Sequence, residues 1–183
     1  MTILHIDSSI NGANSASRAI SRSILDQLRT QSPASRVVSR DLVADPLPHL
    51  TLASFSDQHV LDEFLDADTI VIGAPMYNFT LPTQLKAWLD RILIAGKTFR
   101  YTADGPEGLA KGKRVIIALA RGGVYDAGSP AAALEHLESY LRGVFNFIGI
   151  DPEFVAADGL NISPEQREAS ISQALGETVR MAA

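Results

Sequence analysis

Short runs of almost entirely apolar residues alternate along this chain with segments whose apolar residues recur at helical spacing. The runs at 69–73 and 115–119 have no polar face, a pattern typical of parallel strands that are covered on both sides. Ile20, Ile24 and Leu28 recur every four residues and predict a helix after the first strand. Alternation of this kind predicts an α/β protein with a parallel sheet.

Five strands are expected, together with helices that cross between them. The strands are predicted at 2–6, 35–40, 69–72, 115–119 and 153–157, and the helices from 15 or 16, around 60–65, over 81–92 and 134–148, and from 163. Right-handed crossovers favour a flavodoxin-like doubly wound sheet of five parallel strands in the order 2-1-3-4-5, with helices on both faces. An excursion with a turn is predicted over 98–106. Because no Ser/Gly/Pro-rich linker interrupts the 183 residues, one domain spanning 1–183 is expected.

Composition argues against several classes of function. With 16 basic and 21 acidic residues, the net charge of −5 provides no basic surface for nucleic acid. The chain has no cysteine, so thiolate chemistry is excluded and any redox reaction must use a cofactor. The histidines lack ligand spacing, so no metal is expected. No secretory pattern or membrane-length apolar run is present, which predicts a cytoplasmic protein that binds no membrane.

The loop after the third predicted strand, residues 74–79, contains a thioether, two aromatic rings and an amide. Ligands of open α/β sheets bind beyond the carboxyl ends of the strands, so this loop is suited to a flat heteroaromatic ligand. Met76 and Phe79 can pack on the faces or edges of the ring, and the Asn78 amide can reach its polar edge. Flavin fits these groups better than a sugar or a metal. A role in packing alone is the alternative for the aromatic residues.

Ser9, Ser15 and Ser17 follow the first predicted strand and surround the start of a helix. Free backbone N–H groups and the helix dipole favour an anion there, and the hydroxyl groups add donors. A phosphate monoester is the expected ligand. The alternative is that these serines only cap the helix and shape the loop.

The Arg-Gly-Gly sequence at 121–123 follows the fourth predicted strand. It allows close backbone approach and presents N–H donors, which would stabilise negative charge near N1 and O2 of a reduced flavin. An ordinary glycine turn is the alternative. In the predicted sheet, strand 1 neighbours strand 3 and strand 3 neighbours strand 4, so the three loops are expected side by side.

With these residues considered together, the chain resembles the FMN-dependent NADH azoreductases, also described as NADH:quinone oxidoreductases, of the flavodoxin-like superfamily. The resemblance covers nearly the whole chain. Its most specific segments are 74–79, 84–86, 95–101, 105–109 and 121–123. Three departures from the family pattern are an alanine at 120 where serine is usual, a short segment at 50–61 and a slight extension at 124–129.

The resemblance implies a set of residues that hold FMN: Ser9, Ser15, Ala16, Ser17, Pro75, Met76, Tyr77, Asn78, Phe79, Ala120, Arg121, Gly122 and Gly123. It also implies a homodimer with two active sites at the interface, in which Tyr101 and Phe147 border the substrate pocket. The departure at Ala120 removes one hydroxyl donor. The altered segments at 50–61 and 124–129 leave the preference among quinones, azo dyes and nitroaromatics open.

The activity implied by the resemblance is that of an enzyme, an FMN-dependent oxidoreductase using NADH or NADPH. It would reduce quinones and azo compounds by two electrons with ping-pong kinetics, the flavin N5 carrying the chemistry, so no side chain is assigned a catalytic role. A non-enzymatic FMN-binding electron carrier or regulatory flavoprotein is the alternative, and it would show stable one-electron chemistry. A phosphodiesterase would need a metal site or nucleophile that the sequence does not offer.

Overall fold

The computed structural model of the chain describes residues 1–181, and residues 182–183 of the expected domain lie outside the described part. The described residues form seven strands: β1 (Thr2–Asp7), β2 (Arg36–Asp41), β3 (Thr69–Pro75), β4 (Phe99–Thr102), β5 (Gly105–Gly108), β6 (Arg114–Ala120) and β7 (Glu153–Ala157). Five of them form a parallel sheet in the order β2-β1-β3-β6-β7, while β4 and β5 pair as an antiparallel hairpin. The predicted α/β class and five-stranded parallel sheet are confirmed.

Helices cover both faces of this sheet. They are α1 (Ala16–Gln31), α2 (His59–Asp66), α3 (Thr83–Ile92), α4 (Glu138–Phe147) and α5 (Pro164–Met181). Helices α1 and α5 pack against alternate strand residues such as Ile3, Val71 and Ile116, and α2, α3 and α4 pack against the opposite set, such as Ile70 and Ile72. Because successive strand side chains point to opposite faces, each apolar run supplies two cores at once.

Two helices begin later than the sequence predicted. Helix α3 was expected from Leu81, but Pro82 occupies the N-cap position and the helix begins at Thr83. Helix α4 was expected from Leu134. Instead, the Glu135 carboxylate accepts hydrogen bonds from the backbone N–H groups of Leu137, Glu138 and Ser139 at 3.0, 2.8 and 3.0 Å. These are the N–H groups at the helix start that have no helical carbonyl to bind. The Glu135 side chain therefore sets the start of α4 at Glu138.

The β4–β5 hairpin follows α3 along the chain, lies outside the five-stranded sheet and packs beside the end of α4. The Ala110 N–H donates to the Ile148 carbonyl oxygen at 3.0 Å, and the Phe99 and Phe147 rings lie 4.7 Å apart between centroids. The excursion predicted over 98–106 is therefore an ordered hairpin held against α4. Within residues 1–181, no helix combines the length and apolar character needed to cross a membrane.

Candidate functional site

The loops after β1, β3 and β6 meet at the carboxyl edge of the sheet, because β3 pairs with both β1 and β6. They enclose a cleft of about 150 Å³ lined by Ser9, Asn11, Ser15, Ala16, Pro75, Met76, Tyr77, Ala120, Gly122, Leu160, Asn161 and Arg167. A second hollow of about 600 Å³ adjoins it, because Met76 and Tyr77 line both. Such a crevice forms where the connections that follow two adjacent parallel strands, here β1 and β3, run to opposite faces of the sheet.

The start of α1 forms one wall of the cleft and contributes hydroxyl and N–H groups to it. Ser15 is the N-cap residue, and its Oγ accepts the Arg18 N–H at 3.2 Å. Its Oγ also lies 3.1 Å from the Ser17 Oγ. The N–H groups of Ala16 and Ser17 belong to the first helical turn, which has no preceding helical carbonyl to bind. Two hydroxyls and two N–H groups are thus concentrated at the positive end of the helix dipole.

Glycine at position 73 allows α1 to approach the sheet this closely. A Cβ at Gly73 would lie 2.8 Å from Asp7 Oδ1 and 3.2 Å from the Ser17 carbonyl oxygen. A larger residue would therefore push the first turn of α1 away from β3. The backbone of β3 sets the position of the helix terminus that the cleft uses.

Arg18 supports the loop after β1 instead of facing the cleft as a free cation. Its guanidinium binds both carboxylate oxygens of Asp41 at 2.8 Å and lies 3.4 Å from Asp7 Oδ2. It also donates to the Ser9 carbonyl oxygen at 2.9 Å. The two carboxylates compensate its charge, so Arg18 orients the Ser9 backbone and adds little attraction for an anion.

Replacing Asp41 by asparagine is expected to remove one source of acid sensitivity. The hydrogen bonds from Arg18 lower the pKa of Asp41 from 3.8 to about 2. A carboxyl with a lower pKa in the folded chain stabilises the fold above its unfolded pKa, and that contribution disappears as the pH falls from about 4 to about 2. The midpoint temperature of thermal unfolding should therefore fall less between about pH 4 and about pH 2 for Asp41→Asn than for the unchanged chain. Asp104→Asn at the exposed hairpin turn is the control, and equal losses for all three proteins would refute the assignment.

The loop after β3 closes in a tight turn with unusual backbone angles. The N–H of Tyr77 donates to the Thr80 carbonyl oxygen at 2.9 Å, and the Thr80 N–H donates to the Tyr77 carbonyl oxygen at 3.2 Å. Between them, Asn78 and Phe79 have φ values of 47° and 73°, the signs required by a type I′ turn. Asparagine accepts this conformation readily, but phenylalanine rarely does, so the turn holds about 1–3 kcal/mol of strain. The Phe79 carbonyl is anchored by the His136 N–H at 3.0 Å.

Tyr77 connects this turn to the loop after β1. Its hydroxyl lies 3.2 Å from the Ser9 Oγ and accepts the Ile10 N–H at 3.1 Å. The ring of Tyr77 therefore joins the two loops, while Asn78 and Phe79 remain exposed at the mouth. Among the predicted residues of this loop, Pro75, Met76 and Tyr77 line the cleft, and Met76, Tyr77 and Asn78 line the adjoining hollow.

The Arg-Gly-Gly loop after β6 is held by the buried side chain of Arg121. Its guanidinium binds the Asp158 carboxylate at 2.6 and 2.8 Å and lies 3.4 Å from Glu138. Its own N–H donates to the Ala157 carbonyl oxygen at 2.9 Å. Arg121 consequently anchors the loop from inside the protein. Of the tripeptide, Gly122 lines the cleft.

Tyr101 and Phe147 lie apart from the cleft of their own chain. Tyr101 is 75% exposed on the hairpin, with its ring 5.6 Å from Phe99. Phe147 lines a separate shallow hollow on α4, together with Leu93, Tyr140 and Val144. Neither aromatic residue lines the two cavities at the end of β3.

Four lining residues were not anticipated from the sequence: Asn11, Leu160, Asn161 and Arg167. Three of them come from the segment after β7, whose backbone pairs with the Arg-Gly-Gly loop through the Leu160 and Asn161 N–H groups at 3.1 and 3.0 Å. The Asn161 amide occupies the space beside Gly122, since a Cβ there would lie 2.5 Å from its Nδ2. Ligands of open parallel sheets bind beyond the carboxyl ends of the strands, and the segment after β7 lies at such an end. The predicted strand at 153–157 therefore indicated that residues after it could line the site.

The fold and the cleft define a doubly wound α/β protein with a ligand site at the carboxyl edge of its sheet. A family model described as "Flavodoxin-like fold" matches residues 1–181. A protein of Bradyrhizobium diazoefficiens named FMN-dependent NADH:quinone oxidoreductase 2 is 53% identical over 193 residues, covering 96% of each chain. The chain therefore belongs to this flavodoxin-like family.

Solved structures resemble the chain over its full length. The azoreductase from Bacillus anthracis has a TM-score of 0.92 and 29% identity, with 100% of this chain and 98% of that chain covered. An FMN-dependent NADH-azoreductase from the same species, solved in complex with FMN, has a TM-score of 0.85 and 26% identity, with both chains fully covered at 100%.

Proposed function

We propose that this chain is an FMN-dependent NAD(P)H oxidoreductase that reduces quinones and azo compounds. One observation carries the proposal: a helix start with free N–H groups shares a cleft with Met76 and Tyr77 of the loop after β3 and with Gly122 of the loop after β6. The name of the Bradyrhizobium relative, 53% identical over 96% of this chain, supports the same reading. We also propose one domain over 1–183, a cytoplasmic location, and the order β2-β1-β3-β6-β7 as the flavodoxin-like 2-1-3-4-5 arrangement.

The donors around the start of α1 fit the phosphate end of FMN. Ser9, Ser15 and Ser17 are buried side chains, yet Ser9 and Ser15 line the cleft with Ala16. Hydroxyl and N–H donors at a helix start suit a phosphate because they add hydrogen bonds to the favourable helix dipole. This end of the cleft would orient the cofactor before any reaction takes place.

The remaining loops fit the flat end of the cofactor. When bound, FMN supplies the two-electron chemistry between NAD(P)H and the acceptor. Met76 and Tyr77 would form the surface beside the ring, and Asn78 and Phe79 would border it at the exposed mouth. Since the Arg121 N–H is already bound, the N–H groups of the two glycines are the donors available for negative charge at the pyrimidine edge. No side chain needs to act as a nucleophile.

The acceptor pocket is proposed to be completed by a second copy of the chain. Tyr101 and Phe147 lie away from the cleft of their own chain, and Tyr101 is 75% exposed. In a homodimer with sites at the interface, these rings would border a flat quinone or azo compound, which stacks well on aromatic residues. Light scattering of the flavin-loaded protein should give a dimer, and a monomer at working concentration would contradict this arrangement.

An anaerobic absorbance experiment tests the activity directly. The FMN-loaded protein is mixed with NADH or NADPH and then with a benzoquinone. Rapid bleaching of the flavin band by a nicotinamide, followed by its return with quinone, is the expected result. A protein that binds FMN but is not reduced would be the electron carrier of the alternative reading. A protein that binds no flavin would refute the site.

Replacing Asn78 by glycine is expected to weaken FMN retention by about tenfold, since one hydrogen bond from the amide would be lost. Glycine keeps the positive φ of 47° accessible, so folding should be unaffected. Asn78→Ala should weaken FMN equally and also lower stability by about 1 kcal/mol, because alanine resists this backbone region. FMN dissociation constants and urea unfolding separate the two effects. Asn146→Ala, on the exposed surface of α4, is the control, and unchanged affinity in both Asn78 variants would remove the amide from the site.

A further inference from the structure

We propose that Arg167 selects FMN over flavins without a phosphate by supplying the positive charge of the phosphate pocket. This inference rests on the proposed function and assigns a specificity role to a residue on α5. Arg167 lines the cleft with Ser9, Ser15 and Ala16. Its Nη2 donates to the Asn14 carbonyl oxygen at 2.9 Å, which holds the guanidinium beside the start of α1.

The charges of the neighbouring guanidinium groups are already compensated. Arg18 binds Asp41 and lies near Asp7, and Arg121 binds Asp158 with Glu138 and Glu135 nearby. Among the described residues, 1–181, Arg167 has no carboxylate within the 4.0 Å that defines an ion pair. Within the described part of the chain, its side chain makes one hydrogen bond, to the Asn14 carbonyl oxygen, which uses one of its five N–H donors. Arg167 is thus the lining cation with charge and donors available.

A phosphate monoester requires such a cation. It carries a charge of about −1.5 to −2 at pH 7, whereas a helix start contributes the equivalent of about +0.5. The hydroxyls of Ser15 and Ser17 and the first-turn N–H groups satisfy oxygen atoms but leave most of the charge uncompensated. The chain as a whole has a net charge of −5, so its average field does not attract the dianion.

The position of Arg167 in its own helix supports a role outside that helix. It lies in the first turns of α5, where its N–H donates to the Ser163 carbonyl oxygen at 3.0 Å. A positive side chain near a helix start opposes the helix dipole. Residues that break a local preference without a local gain are expected at functional sites. For Arg167, the favourable interaction would be with an anion bound in the cleft.

The competing reading is that Arg167 only clamps the loop through the Asn14 carbonyl. Loss of that clamp would loosen the loop for any flavin. FMN and riboflavin would then weaken together, because both use the ring-binding loops. If the charge of Arg167 recognises the phosphate, its removal should weaken the binding of FMN and leave the binding of riboflavin unchanged. The ratio of the two dissociation constants therefore separates the roles.

Flavin fluorescence quenching by the full-length apoprotein is the test. FMN and riboflavin are titrated at low and high salt into the unchanged chain and into Arg167→Ala, Arg167→Gln and Arg167→Lys. Loss of one charged hydrogen bond is expected to weaken FMN by about 10-fold to 100-fold in the Ala and Gln variants. Riboflavin affinity should stay within about twofold. Arg167→Lys should recover part of the FMN affinity, and the Ala variant should show a weaker salt dependence.

Arg180→Ala is the matched control, since it removes the same charge from the same helix about 20 Å further along the axis. It should leave the ratio of the two constants unchanged. An unchanged ratio in Arg167→Ala, whether both affinities fall or neither does, would overturn the inference and leave FMN binding intact. If the unchanged chain binds neither flavin, the proposed function itself fails.

Discussion

Replacement of Arg121 by methionine is expected to lower the free energy of unfolding by about 3 kcal/mol, the lower end of the range for a broken buried ion pair, because it leaves the partly buried carboxylates of Asp158 and Glu138 without their partner. Arg121 is only 5% exposed. Its guanidinium makes two short bonds to Asp158, at 2.6 and 2.8 Å, and lies 3.4 Å from Glu138. Methionine fills a similar volume but offers no charge or donor. The loss should therefore exceed that of an ordinary surface substitution.

Urea unfolding measures this loss, and a second ion pair provides the control. Arg100 pairs with Glu107 at 2.7 Å on the hairpin, with side chains 58% and 38% exposed. Arg100→Met should cost no more than about 1 kcal/mol, since water screens exposed pairs. Similar losses in the two variants would show that Arg121 does not act as a buried anchor.

The same substitution has a consequence for the cleft. The Arg121 carbonyl oxygen accepts the Leu160 N–H at 3.1 Å, and the Arg121 N–H donates to the Ala157 carbonyl oxygen at 2.9 Å. The loop after β6 and the segment after β7 therefore hold one another in place. Release of the guanidinium should loosen both segments. Under conditions in which Arg121→Met remains folded, FMN affinity is expected to fall together with the protection of these backbone groups from hydrogen exchange.

Replacement of Gly108 by alanine is expected to cost about 3 kcal/mol, at the upper end of overpacking effects. A Cβ at Gly108 would lie 2.2 Å from both the Gly149 nitrogen and the Ile148 carbonyl carbon. These are backbone atoms and cannot rotate away as a flexible side chain does. The hairpin must therefore separate from the end of α4, breaking the packing of Phe99 on Phe147, whose centroids are 4.7 Å apart.

Gly176→Ala is the opposite-sign control for this experiment. Gly176 is exposed on α5, and a Cβ there would meet nothing within 4 Å, so alanine should raise stability by about 0.5–1 kcal/mol through helix propensity. Since the hairpin carries Tyr101 but does not line the cleft, Gly108→Ala should raise the KM for quinone more than it weakens FMN. Unchanged stability and unchanged KM would exclude the packing role of Gly108.

Local patterns predicted most of the architecture because they depend on short-range geometry. The fully apolar run at 69–73 predicted a buried parallel strand, and the last strand was predicted at 153–157, where β7 (Glu153–Ala157) lies. Helix starts were less accurate. The carboxylate of Glu135, which binds three backbone N–H groups, decides where α4 begins, and a hydrophobic stripe contains no information about that contact.

The residue types of the three strand-end loops indicated a site for a flat anionic ligand, because parallel strands bring their carboxyl ends to one edge. By itself, the sequence thus determined the α/β class and the parallel sheet, and it predicted this location for the site. Tertiary structure alone decided which donors are free. It buries the Arg121 guanidinium among carboxylates, pairs Arg18 with Asp41 and brings Arg167 to Asn14 across 153 positions. Compensation of charge is a property of distances between atoms, and those distances exist only once the chain has folded.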